Sequence, residues 1–255
     1  MVTTFMRRGF SMYKGKLKQI LLITDGYSNH GEDPLAVSSL AQEYGITVNV
    51  IGILDENVQN GDGLKEIEEI ARAGGGISQV VYTKQLSQTV QMVTRKAMTQ
   101  TIQGFVNKEL KQILGSSNSI ESLPPSKREE VYEVVEDIGE TVGLEVIILV
   151  DTSASMKDKL ETVKESLFDL QISLNSRTGE NAYSLFIFPG KRDDVDKLLD
   201  WTPKLEKLNT IFPKLTMGGM TPTGPALREA LNYFNEQNYD RGNNGDDEQS
   251  IEWAD

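Results

Sequence analysis

The pattern D-x-S-x-S at residues 151–155 is the strongest chemical signal in the chain. Asp151, Ser153 and Ser155 come directly after the apolar stretch Leu144–Val150, which predicts a buried β-strand. In a parallel α/β sheet, ligands bind outside the carboxyl ends of the strands. One carboxylate and two hydroxyls in a single turn suit a hard cation such as Mg²⁺, which prefers oxygen ligands. A simpler interpretation is that Asp151 or Ser153 only caps the following helix.

Two other loops also present oxygen atoms next to predicted elements. Asp25, in the sequence Thr24-Asp25-Gly26, follows the apolar stretch Gln19–Thr24. Thr221 lies in a loop that contains Gly218-Gly219 and leads into a predicted helix. A second carboxylate and a third hydroxyl therefore come from parts of the sequence that are far from residue 151.

The residue types that the chain lacks exclude several kinds of site. It has no cysteine, which excludes disulfides, zinc–thiolate sites and cysteine nucleophiles. Its single histidine, His30, leaves little room for a histidine-based metal site or a Ser-His-Asp triad, and we expect it to be a solvated loop residue. No GxxxxGK[ST] pattern occurs, and Gly74-Gly75-Gly76 lacks the strand-to-helix context of a dinucleotide site.

The charge of the chain argues against binding to nucleic acids or membranes. Its 255 residues include 26 Lys+Arg and 38 Asp+Glu, so its formal net charge is −12. Phosphate groups and anionic lipids require a basic patch. No apolar run comes close to the length of about 20 residues that a membrane span requires. The apolar part of the stretch Gln19–Thr24 is also too short for a signal peptide. We therefore expect a cytoplasmic protein.

Short apolar runs alternate with helical patterns along the chain, which predicts an α/β fold with a doubly wound, mainly parallel sheet. The predicted strands are 19–24, 46–53, 77–82, 144–150 and 182–188. The predicted helices are 33–44, 64–73, 84–114 with a break near Gly104, 126–142 with Ser126 as its cap, 160–174, 205–215 and 224–234.

Composition divides the chain into five segments. Residues 1–17 are expected to form a loose extension, and residues 236–255 a disordered acidic tail with few large apolar groups. The alternating strands and helices occupy residues 18–101 and 144–235. Residues 102–143 are expected to join these two parts as a helical linker whose apolar side chains pack on the flank of the domain.

Together the three loops resemble the metal-ion-dependent adhesion site of von Willebrand factor A (VWA) domains. That family's pattern is D-x-S-x-S, then G-G-x-T-x-x-x-x-A-L, then T-D-G; residues 151–155, 218–227 and 24–26 match it. Here T-D-G comes first, so the chain resembles a circularly permuted VWA domain, a Rossmann-like three-layer sandwich. The YabS-like VWA proteins of spore-forming bacteria share this inverted order. The alternative is a swapped dimer, in which the front half of one chain completes the back half of another.

The resemblance implies a metal site made by five residues. Ser153, Ser155 and Thr221 would bind Mg²⁺ or Mn²⁺ directly or through water, and Asp151 and Asp25 would coordinate the ion or hold its waters. Such a site leaves one position for a carboxylate from a protein partner. It contains no nucleophile or general base, which indicates a binding protein rather than an enzyme.

Two functions follow from the sequence. The favoured one is an intracellular, metal-dependent protein-interaction module with a regulatory or scaffolding role, acting as a monomer. The alternative is a Mg²⁺-dependent phosphohydrolase that uses Asp151 or Asp25. Against the alternative, Ser153 stands where haloacid-type phosphatases have a second aspartate. The single-chain arrangement predicts that the strands 19–24 and 144–150 are neighbours and that both carboxylates lie within reach of one cation.

Overall fold

One sheet of six strands organises the chain. A computed structural model describes residues 16–54, 61–114 and 119–243, and within these ranges the strands are β1 (Leu17–Thr24), β2 (Ile46–Leu54), β3 (Gly75–Tyr82), β4 (Leu144–Asp151), β5 (Asn181–Phe188) and β6 (Asp196–Thr202). Their order is β3-β2-β1-β4-β5-β6. All neighbouring pairs are parallel except β5 and β6, which are antiparallel.

Helices cover both faces of this sheet. The same described ranges contain seven α-helices, namely α1 (Pro34–Glu43), α2 (Gly61–Ala73), α3 (Leu86–Leu114), α4 (Pro125–Thr141), α5 (Leu160–Asn175), α6 (Leu208–Ile211) and α7 (Thr223–Asn243). Buried side chains of α1, α2 and α7 pack on one face, and those of α3, α4 and α5 on the other. The chain is therefore a three-layer α/β sandwich, as the sequence predicts. No helix of the described part is long and apolar enough to cross a membrane.

Strands β1 and β4 form the centre of the sheet and lie side by side. Almost every residue of both strands is buried, because helices cover both faces of the sheet. Parallel strands in such a position are typically apolar on both sides. The register pairs Leu17 with Leu144 and Ile23 with Val150. The predicted neighbours are thus found in one chain. This register also brings Thr24 and Asp151 next to each other at the carboxyl edge of the sheet.

The joining segment 102–143 comprises the second half of α3 and all of α4, which pack against each other as the expected extra helical pair. The predicted apolar face of α4 is buried, with Val131, Val135 and Ile138 in the core. Gly139 of α4 lies against Ile102 of α3.

Two predictions about these helices are wrong. Helix α3 runs unbroken through Gly104, since buried side chains on either side hold it in place. Helix α4 starts at Pro125, because proline suits the first helical position, and no side chain caps it. The predicted cap, Ser126, lies inside that first turn.

The second half of the molecule differs from the prediction at its edge and its end. The antiparallel edge strand β6 was not predicted, and the predicted helix 205–215 shortens to α6 followed by a single 3₁₀ turn at Phe212–Lys214. Helix α7 continues to Asn243, so residues 236–243 are helical rather than disordered. Propagating an existing helix adds one hydrogen bond for each residue that is fixed. The expected tail beyond residue 243 and the extension at 1–15 lie outside the described residues.

Candidate metal centre

The Asp151 carboxylate lies at the end of β4 and is fully buried. Its Oδ1 accepts a hydrogen bond from the Ser153 backbone N–H (2.8 Å), and its Oδ2 accepts one from Thr24 Oγ1 (2.7 Å). Burial raises the pKa of Asp151, and the negative charge of Asp25 adds to the rise, while the hydrogen bonds from Thr24 and Ser153 oppose it. The carboxylate thus joins the ends of the two central strands.

A short 3₁₀ turn, Ala154–Met156, positions the two serines of the D-x-S-x-S pattern. It places Ser153 Oγ and Ser155 Oγ 3.2 Å apart, and Ser155 is exposed. The simpler interpretation, in which Asp151 or Ser153 caps the next helix, is wrong. Helix α5 starts only at Leu160, its N-cap residue is Lys159, and no side chain caps it.

Asp25 connects the loop after β1 with the loop after β4. Its Oδ1 accepts a hydrogen bond from Ser155 Oγ (2.7 Å), and its Oδ2 forms an ion pair with Lys159 Nζ. The side chains of Asp25 and Lys159 are both almost inaccessible to solvent. Two segments separated by more than a hundred residues therefore share one polar cluster within a single chain.

Thr221 is buried in the loop before α7, and the glycines in front of it shape that loop. Gly219 has a φ of +87°, which favours glycine, and an added Cβ would lie only 3.2 Å from Pro189 Cγ. The Thr221 backbone N–H donates to Asn29 Oδ1 (2.8 Å), and the Asn29 N–H donates back to Thr221 O (3.2 Å). These two bonds fasten the threonine loop to the loop that carries Asp25.

All five predicted site residues meet at the carboxyl edge of β1 and β4. A methyl group on Gly26 would lie 3.7 Å from Thr221 Oγ1 and 3.9 Å from Asp151 Oδ2, so these two oxygens face the same backbone position. The described residues contain no group of three His, Cys, Asp or Glu side chains that could hold a metal ion. The candidate ligands are instead two carboxylates and three hydroxyls, an all-oxygen set that fits Mg²⁺ or Mn²⁺.

Sequence reasoning missed two charged residues beside this cluster. Lys159 contacts Asp25, and no local pattern distinguishes it from the other lysines of its segment. Glu66 of α2 accepts a hydrogen bond from the Ser28 N–H (2.7 Å) in the loop after Asp25, and burial raises the pKa of Glu66. His30 is half-exposed in the same loop, with its Nε2 3.6 Å from Asp194 Oδ1.

Comparison with known proteins identifies the family. A family model for the von Willebrand factor type A domain matches residues 2–96, the part of the chain that carries Asp25. The sheet and the residues at its carboxyl edge agree with that match. The chain belongs to the VWA family, as the sequence motifs predict.

Two individual proteins resemble the chain over most of its length. It is 61% identical over 241 residues to the uncharacterized protein YabS of Bacillus subtilis (strain 168), an alignment that covers 94% of this chain and 98% of YabS. A crystal structure of an uncharacterized protein from Alicyclobacillus acidocaldarius subsp. acidocaldarius DSM 446 superposes with a TM-score of 0.81 at 38% identity. It covers 88% of this chain and 96% of that one. The first confirms the predicted resemblance to YabS, and the second confirms the predicted fold.

Proposed function

We propose that this chain is a cytoplasmic, metal-dependent protein-interaction module with a regulatory or scaffolding role. In this proposal Ser153, Ser155 and Thr221 hold Mg²⁺ or Mn²⁺, and Asp151 and Asp25 coordinate the ion or its waters. When bound, the ion supplies a coordination position for a carboxylate of the protein partner. Membership of the VWA family supports the general role of a protein-interaction module.

The observation that carries the proposal is the meeting of three loops at one edge of the sheet. Asp151 contacts Thr24, Asp25 contacts Ser155, and the Thr221 loop is hydrogen-bonded to Asn29. Each of these contacts joins residues more than a hundred positions apart. An all-oxygen cluster that is buried at its base and exposed at Ser155 suits a cation that also binds a partner.

A binding role fits the two carboxylates better than phosphohydrolase chemistry does. Both Asp151 oxygens accept hydrogen bonds, and Asp25 is held by Ser155 and Lys159. Neither group is presented as a free nucleophile toward solvent. We therefore propose that the chain is not an enzyme.

We also propose that the domain is circularly permuted and complete within one chain. The supporting contacts lie between β1 of the front half and β4 of the back half, and between Asp25 and Ser155. Helices α3 and α4 then connect the two halves. Because loop-closure cost rises only slowly with length, a long connection of this kind is easily tolerated. We propose a monomer, since these contacts complete the sheet without a second chain.

Two exposed apolar side chains border the candidate metal centre and suit contact with a partner. Tyr27 follows Gly26, and Met220 precedes Thr221; both are more than half exposed. Met217, three residues before Met220, packs partly against the core. The rim that we propose consists of Tyr27 and Met220.

The proposal predicts that Mg²⁺ raises the melting temperature of the protein. A ligand at a hundred times its dissociation constant stabilises the folded state by about 2.7 kcal/mol, which is a shift of roughly 5–10 °C for a domain of this size. Ser155→Ala removes an exposed candidate ligand and should abolish most of this shift, which is measured for each protein from its own melting temperature in EDTA because the variant also loses the hydrogen bond to Asp25. Differential scanning calorimetry with MgCl₂ and with EDTA measures both quantities.

Ser126→Ala serves as the matched control, because Ser126 is an exposed serine on α4, away from the cluster. It should keep the full response. Asp151→Asn should lose the response as well, which tests the buried side of the cluster. A Ser155→Ala protein that responds to Mg²⁺ like the parent would contradict the site. A Mg²⁺-dependent phosphatase activity that Asp151→Asn removes would favour the enzyme instead.

A further inference from the structure

Lys159 brings a positive charge to the place where the metal ion is proposed to bind. Its Nζ forms an ion pair with Asp25 Oδ2, while Ser155 Oγ binds the other oxygen of the same carboxylate. The Lys159 and Asp25 side chains are only 4% and 3% exposed. Burying an ion is costly unless it is paired. The ion pair with Asp25 therefore compensates the buried ammonium and holds this lysine at the cluster rather than in solvent.

The backbone position of Lys159 makes this charge more unusual. Lys159 is the N-cap residue of α5, where the helix dipole disfavours a cation. It also provides no side-chain cap for the helix. Capping of the helix therefore does not explain a lysine here, and its ion pair with Asp25 places the ammonium at the cluster.

Lys159 changes the charge that a bound ion would meet. The ammonium offsets one negative charge of the cluster that contains Asp25 and Asp151, whereas Lys157 and Asp158 in the same turn are exposed and opposite in sign. A divalent cation at this place would lie beside a like charge. Without Lys159, the site would be one unit more negative.

We propose that Lys159 is a specificity-determining residue that weakens metal binding and keeps a positive charge beside the ion for an anionic group of the partner. This inference rests on the proposed metal-dependent function. Repulsion between the ammonium and the cation opposes loading, and attraction by the same ammonium favours a carboxylate afterwards. The two effects have opposite signs, whereas a purely structural lysine would weaken both kinds of binding when it is removed.

The test compares the parent with Lys159→Met in the full chain. Isothermal titration with Mn²⁺ should show tighter binding to Lys159→Met, by about tenfold or more, since two charges a few ångströms apart interact by several RT. Acetate is then titrated into the Mn²⁺-loaded proteins, and water-proton relaxation follows its binding. Acetate should bind the variant about tenfold more weakly, because a positive charge has been removed.

Two further variants control for folding and for general charge effects. Lys164→Met removes a lysine from the same helix, where it pairs with the exposed Glu161, and should leave both affinities unchanged. Lys159→Arg keeps the charge and should stay close to the parent. In EDTA, Lys159→Met should melt below the parent because Asp25 loses its ion pair and keeps only the hydrogen bond from Ser155 among its described contacts. Circular dichroism at the titration temperature verifies that the variant is folded.

The outcomes separate this inference from the function on which it rests. A parent that binds no Mn²⁺ overturns the proposed function and the role of Lys159 with it. A parent that binds Mn²⁺, together with a folded Lys159→Met protein of equal or weaker Mn²⁺ affinity, overturns the role of Lys159 alone. Tighter Mn²⁺ binding combined with weaker acetate binding supports it.

Discussion

The two ends of strand β4 both carry buried charged groups, but different kinds of partner satisfy them. At the amino end, Arg177 donates from Nε to Gly139 O (2.7 Å), from a second nitrogen to Val142 O, and from a third to Asn181 Oδ1 (2.7 Å). At the carboxyl end, Asp151 and Asp25 are held largely by hydroxyls and by Lys159. One end uses mainly fixed backbone carbonyls, and the other uses mainly side chains.

This difference separates a structural charge from a candidate functional one. The carbonyls that Arg177 binds belong to the end of α4, where helix carbonyls lack partners within the helix. They cannot move without breaking the helix, so Arg177 fixes the joining segment to the sheet. Hydroxyls rotate and can either donate or accept. The carboxyl end can therefore exchange its internal hydrogen bonds for bonds to a ligand. Burial of charge alone does not distinguish the two ends of β4, because charged groups are buried at both.

The largest expected effect is the loss of stability in Arg177→Met. Methionine keeps an unbranched apolar stem but removes every donor, so buried carbonyls of α4 lose their partner. We expect the free energy of unfolding to fall by about 3 kcal/mol, since each unsatisfied buried group costs about 1–3 kcal/mol. Urea unfolding followed by circular dichroism measures the change. The melting shift that we propose for Mg²⁺ should remain, because the candidate metal centre lies at the other end of β4.

Arg228→Met is the control for removing an arginine from an ion pair. Arg228 pairs with Glu32 at the surface, and such pairs contribute about 1 kcal/mol or less. If Arg177→Met lowers the free energy of unfolding no more than Arg228→Met does, the structural role assigned to Arg177 is contradicted. Should Arg177→Met also remove the Mg²⁺ response, the two ends of β4 would not be independent.

The central part of the fold could be predicted because its signals are local. Strands β1 and β4 are apolar on both faces, which indicates parallel strands buried between two layers. The ligand pattern of residues 151–155 lies within one turn, and Asp25 directly follows a strand. In a parallel sheet the carboxyl ends of the strands share one edge, and the resemblance to VWA domains added the prediction that these two strands are neighbours and that their residues meet.

The missed features depend on contacts between distant segments. Strand β6 pairs with β5 at the edge of the sheet and alternates only weakly between buried and exposed residues, so its sequence lacks a clear apolar run. Lys159 and Arg177 resemble ordinary surface cations in the sequence. Their partners, Asp25 and the carbonyls of α4, lie in other segments of the chain and are found only once the fold brings these segments together.

A smaller effect concerns the pH dependence that Asp151 imposes on the metal-free protein. Burial raises the pKa of Asp151 above its ordinary value of 3.8, so the folded state binds its proton more tightly than the unfolded chain does. The contribution of this group to stability is therefore complete at low pH and is lost as the pH rises through the folded-state pKa. The loss has a slope of at most about 1.4 kcal/mol per pH unit for one proton.

Asp151→Asn isolates this contribution, because asparagine has the same shape and does not ionise. Urea unfolding in EDTA at several values from pH 4 to pH 7 gives the difference between parent and variant. We expect the parent to lose stability relative to Asp151→Asn as the pH rises. A difference that stays constant or changes in the opposite direction would show that the buried carboxylate does not oppose folding.

The smallest expected effect tests whether the loop that carries Asp25 needs its anchor on α2. Glu66 accepts the hydrogen bond of the Ser28 N–H, three residues after Asp25. Glutamine keeps an acceptor oxygen and a similar shape, so Glu66→Gln should change the free energy of unfolding by less than about 1 kcal/mol. It should also leave Mg²⁺ affinity within about twofold of the parent, because the loop stays in place.

Glu66→Ala removes the acceptor, so the Ser28 N–H loses its partner and Asp25 is held less firmly. We expect Mg²⁺ affinity to fall by about tenfold, the lower end of what the loss of a residue supporting a metal ligand usually costs. Isothermal titration of both variants measures this. Equal affinities for the alanine and glutamine variants would mean that Ser155 and Lys159 suffice to position Asp25. The side chains at the carboxyl end of the sheet would then be held in place without an anchor on α2.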